Sequence, residues 1–97
     1  MMYHITYYVK EIMKEGIKPS AMTGNTMFPG MKYDKDYVYF APIDYINYIK
    51  PFFPGAQIIG VNVDGINYER DPGVGEPFKA YRYKGTISPH RIFYKSI

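Results

Sequence analysis

The run Tyr3-His4-Ile5-Thr6, closed a helix-length later by Gly16-Ile17-Lys18-Pro19, constrains this chain more than any other feature. A hydrophobic-rich strand from Met2 to Thr6 is followed by Val9, Ile12 and Met13 at helical spacing, and then by a glycine stop. Thr6 is the expected N-cap of that helix. Gly16 sits where a left-handed residue is wanted, and Ile17 is placed to touch Ile12 as in a Schellman ending. His4 and Thr6 are two apart on the strand, so both side chains are expected on one face.

The rest of the chain divides on its glycines and prolines. Lys18 to Asp36 holds Pro19, Gly24, Pro29 and Gly30 and reads as a long loop. Such loops in small domains are usually functional or mobile, so this one is expected to act as a lid. Tyr37 to Phe40 is a strand. Pro42 opens a second helix that Pro51 ends, and Ile43, Ile46, Ile49 and two tyrosines make it apolar on most sides, which predicts burial. Gln57 to Val63 alternates as a strand, and Asp64-Gly65 signals a tight turn with a possible return over Ile66 to Glu69. Phe78 to Lys84 and Arg91 to Tyr94 are the last two strands. This order predicts a single α+β domain over residues 1–97.

Composition narrows the chemistry. There is no cysteine, which excludes disulfides, thiolate zinc sites and thiol catalysis, and His4 and His90 alone leave little for a metal centre. Tyrosine supplies 12 residues and tryptophan none. Most of these rings are expected on sheet faces. A net charge of +3 permits a nucleotide or nucleic-acid partner without demanding one. His4, Lys10 and Glu11 interrupt any signal-peptide core, and no apolar stretch is long enough to span a bilayer. The expected location is cytoplasmic.

Four blocks in order, Tyr3–Thr6 with Gly16–Pro19, Tyr37–Ala41, Ile58–Val63 with Tyr68 and Asp71, and Tyr81–Ile92, resemble the ADP-ribosyltransferase superfamily. The likeness is to the DNA-modifying ADP-ribosyltransferase toxins and, more distantly, to the RNA 2'-phosphotransferases. The resemblance implies a minimal fold of small mixed or antiparallel sheets with about two helices, and NAD as the bound nucleotide. It implies that His4 holds ribose hydroxyls, that Thr6 adds a hydroxyl contact, and that Tyr39 packs on the cationic nicotinamide. His4, Tyr39 and a carboxylate would carry the catalysis, with a protein or nucleic acid as acceptor of ADP-ribose and no membrane partner.

The chain departs from the family at the carboxylate. The position falls on Ala80 or Tyr81, neither of which bears a charge, so Glu76 is the first substitute and Glu69 the second. The phosphotransferase branch uses an arginine and a second histidine instead, and Arg82, Arg91 and His90 are available. Without a competent carboxylate, the same fold is a non-catalytic nucleotide-binding or protein-binding module. A third reading rests on Gly24-Asn25-Thr26-Met27-Phe28-Pro29, which resembles the nucleophile box of signal peptidases and repressor-cleavage peptidases, with Thr26 for serine and Lys50 as base.

Overall fold

A computed structural model describes residues 1–19, 22 and 34–94. The lid expected between Lys18 and Asp36, and the peptidase-like box at Gly24 to Pro29, lie largely or wholly outside those residues. Among the described residues the chain is an α+β fold of two short helices and two three-stranded antiparallel sheets. The strands are β1 (Met2–Thr6), β2 (Tyr37–Phe40), β3 (Gln57–Val61), β4 (Glu69–Arg70), β5 (Tyr81–Lys84) and β6 (Ile92–Phe93). The helices are α1 (Val9–Glu15) and α2 (Ile43–Ile49), the second continuing as a 3₁₀ turn over Lys50–Phe52. None of these helices is long and apolar enough to cross a membrane.

One sheet has the order β1-β3-β6 and the other β2-β5-β4. An antiparallel bridge between Tyr3 and Ala41, made by two main-chain hydrogen bonds of 2.8 and 2.9 Å, joins them. The strands therefore run β4-β5-β2-β1-β3-β6, with β1 and β2 neighbours at the centre. Alternation decides what each strand buries. Val38 and Phe40 point inward from β2, and Ile59 and Val61 from β3, while Tyr37 and Tyr39 face the other way. Ile12, Ile17, Ile87 and Ile92 close the same core. Apart from Phe40 its buried residues are aliphatic, and each fully buried Val or Ile contributes roughly 1.5–3 kcal/mol.

Gly16 ends α1 with φ +84° and donates its N–H to Ile12 O at 2.8 Å. The ending is not a Schellman turn, because Ile17 turns away and exchanges hydrogen bonds of 2.9 and 2.8 Å with Ile87. Thr6 is not the N-cap. Tyr8 occupies that position, and the Thr6 hydroxyl instead accepts the Tyr8 N–H at 2.9 Å within the turn between strand and helix. Tertiary packing also overrides the expected burial of α2. Only Ile46 is buried, and Tyr48 is 57% and Phe52 70% exposed, because a seven-residue helix on one sheet can hide just one side. The outer side is an aromatic ridge, with Tyr48 stacked 4.6 Å from Phe78.

The observed strands are shorter than the sequence pattern suggests. The Asp64-Gly65 turn forms, with Gly65 at φ +80°, but the returning chain does not pair with β3. It crosses to the second sheet, where Glu69 pairs with Arg82 and Arg70 with Tyr81.

Candidate functional site

His4 lies at the seam between the sheets. Its position opposite Ile59 in β3 turns the imidazole to the core side, and Nδ1 meets the Tyr39 carbonyl at 2.7 Å. A carbonyl only accepts, so Nδ1 carries the hydrogen, and in the neutral ring Nε2 is left with its lone pair. Burial holds the His4 pKa below the usual histidine value, the bond to Tyr39 opposing it in part. At neutral pH the ring is uncharged and Nε2 is an acceptor.

That arrangement has a consequence for stability. The folded chain resists protonating His4 more than the unfolded chain does. His4 therefore contributes no penalty above about pH 6.5, and stability falls as pH drops below it. Urea midpoints of wild type and His4→Gln at pH 7.5 and pH 5.5 are the check. Wild type should lose more on acidification than the variant, and equal losses would contradict the buried neutral ring.

Thr6, two residues on, is 2% exposed, and its oxygen is engaged with the Tyr8 N–H. Its hydroxyl shapes the turn behind His4.

Tyr39 touches both sheets' polar groups. Its carbonyl receives His4, while its side chain leaves from the opposite face of β2. There its phenol accepts the Asp34 N–H at 2.7 Å, with Arg82 directly opposite on β5. The register sets Arg82 beside Tyr39 and Glu69 beside Arg82, so side chains from β2, β5 and β4 share one sheet face. Arg82 Nη2 donates to Glu69 Oε2 at 3.3 Å, and its guanidinium lies 4.0 Å over the Tyr37 ring. Desolvation, then the Glu69 hydrogen bond and charge, push the Tyr37 pKa up, and Arg82 pulls the other way.

The two candidate carboxylates differ sharply in setting. Glu76 is on the loop before β5, 76% exposed, and pairs loosely with Arg70 at 3.7 Å. Glu69 is on a strand within the Tyr37–Tyr39 face. Ala80 is buried and Tyr81 packs against Tyr68, so the position expected to carry the family's carboxylate is filled by core residues. His90 shares a 2.7 Å hydrogen bond with Ser88, and Arg91 clamps the carbonyls of Asn62 and Asp64. Neither faces Tyr39 in these contacts. Lys50 donates to the Ala56 carbonyl at 3.0 Å.

Sequence reasoning passed over Tyr37 and treated Arg82 only as a substitute arginine. The available signal is the alternation Tyr81-Arg82-Tyr83-Lys84, which puts Arg82 and Lys84 on the face opposite the tyrosines that pack inward. Comparison with protein-family models, curated proteins and solved structures gave no significant match.

Proposed function

We propose that the chain binds NAD, or a nucleotide closely related to it, at the seam between its two sheets and transfers ADP-ribose to a macromolecular acceptor. The observation that carries this reading is the meeting of His4 and Tyr39. These are the two residues that the resemblance to ADP-ribosyltransferases assigns to nucleotide, and they come from strands far apart in sequence that are adjacent in the fold.

The residues suit the nucleotide chemically. The Tyr39 carbonyl fixes the imidazole tautomer and orientation, so Nε2 is preset to accept a ribose hydroxyl. The Tyr39 ring, tied at its hydroxyl, offers a fixed electron-rich face to a cationic pyridinium on the other side of β2 from the imidazole. NAD as substrate supplies a glycosidic bond whose electron pair leaves with nicotinamide. A carboxylate near the sugar stabilises the positive charge that develops there, and Glu69 is better placed for this than Glu76. It shares a sheet face with Tyr39, and rigid strands hold groups more accurately than loops do.

A second reading has its own support. The Glu69 carboxylate is engaged by both Arg82 and Tyr37, which suits a nucleotide-binding module without catalysis as well as an enzyme. Incubation with NAD labelled in the nicotinamide ring, in cell extract and with added DNA, separates the two. Labelled nicotinamide released from that NAD, and label on a macromolecule in a parallel incubation with NAD labelled in the adenosine, are the expected results. Tight NAD binding with no release would decide for the binding module.

A further inference from the structure

Arg82 is 18% exposed, on the central strand of the β2-β5-β4 sheet. It donates to Glu69, lies opposite Tyr39 in the register of β2 and β5, and approaches the Tyr37 ring centroid at 4.0 Å. Its Nε is buried with no hydrogen-bond partner among the described residues. A side chain serving stability alone has no reason to strand a buried donor, and unsatisfied groups of this kind recur where geometry serves a site. We propose that Arg82 is the positioning residue of the site, setting the Glu69 carboxylate and the Tyr39 phenol at fixed places relative to each other. This rests on the reading of the chain as an NAD-dependent ADP-ribosyltransferase.

Glu69 belongs to a two-residue strand at the sheet edge and is 55% exposed. A glutamate there, left to itself, samples several rotamers in water. Arg82, itself held over the Tyr37 ring, gives it a donor at 3.3 Å. Tyr39 is pinned from the other side by Asp34, whose N–H it accepts at 2.7 Å and whose carbonyl it reaches at 3.3 Å. Arg82 is the piece common to both. Its planar fork can bond a carboxylate and a phenol while its face stacks on Tyr37, which a lysine ammonium cannot do. Arg82 need not touch the nucleotide to act in this way. Its loss should disturb the reacting geometry more than the binding of NAD.

The test uses the full chain with ¹³C-labelled tyrosine rings, wild type, Arg82→Met and Arg82→Lys, with Tyr37→Phe to assign the Tyr37 signal. In Arg82→Met the Tyr37 phenol should titrate at higher pH than in wild type, because the guanidinium that lowers its pKa is gone. The Tyr39 signal should move as well. Nicotinamide release should fall at least about tenfold in kcat with KM within about twofold, the split expected when geometry rather than uniform binding is lost. Arg82→Lys should keep the folded state and restore only part of kcat. Unmoved Tyr37 and Tyr39 signals in Arg82→Met would overturn the clamp, and unchanged kcat would overturn its positioning role. A wild type that binds NAD without releasing nicotinamide would overturn the transferase reading and this role with it, while the ring signals still report whether the clamp exists.

Discussion

Gly16→Ala is expected to destabilise the fold by about 3–5 kcal/mol, a large share of the 5–15 kcal/mol typical of a domain. Gly16 sits at φ +84°, where a side chain is strained whatever the space around it. There is also no space, because a Cβ would lie 2.1 Å from the Ile87 carbonyl oxygen. That oxygen accepts the Ile17 N–H at 2.9 Å, so any shift that relieves the clash breaks the bridge fastening the end of α1 to the chain before β6. Ile12, Ile17 and Ile87 would separate with it, and all three belong to the core. Urea denaturation followed by far-ultraviolet circular dichroism measures the loss. A loss under about 1 kcal/mol, the ordinary cost of a mild surface change, would contradict the close approach drawn here.

Glu69→Gln is the substitution expected to cost most in turnover. The amide keeps the shape of the side chain and removes its charge. If Glu69 faces the positive charge that develops on the sugar, the loss is on the order of a hundredfold in kcat, corresponding to ~2–4 kcal/mol of transition-state stabilisation. NAD affinity should stay within about twofold, since the ground-state nucleotide gains little from that carboxylate. Glu76→Gln, run beside it, should change little, because Glu76 is an exposed loop charge paired with Arg70. A loss confined to Glu76→Gln would transfer the role to the loop carboxylate and remove Glu69 from the site.

The features readable from the sequence are those decided by neighbours in the chain. The β1–α1–Gly16 opening follows from local pattern and a positive-φ glycine. The burial of Val38 and Phe40 with Tyr37 and Tyr39 outward follows from strand alternation. What was not readable depends on partners chosen at a distance. Nothing in Ile66 to Glu69 says that the strand after the Asp64-Gly65 turn will leave β3 and pair with β5. Nothing in the apolar sequence of α2 says that only Ile46 will find a core to enter. The site divides in the same way. His4 and Tyr39 were singled out by resemblance to a family, and Glu69 only as a reserve. The contact of Glu69 with Arg82 is a product of register between β4 and β5, which no linear pattern displays. Thr6 shows how one residue type serves two purposes. A hydroxyl beside a helix start suggests an N-cap, and it accepts the Tyr8 N–H inside the turn before the helix instead.

The proposed nucleotide site is the seam where His4 meets Tyr39. Calorimetric titration of NAD against wild type and His4→Ala measures it most directly. Removing the imidazole deletes the preset Nε2 acceptor and frees the Tyr39 carbonyl. The variant should therefore bind at least about tenfold more weakly than wild type, a difference of about 1.4 kcal/mol. Indistinguishable binding by the two proteins, millimolar or weaker in both, would contradict the claim.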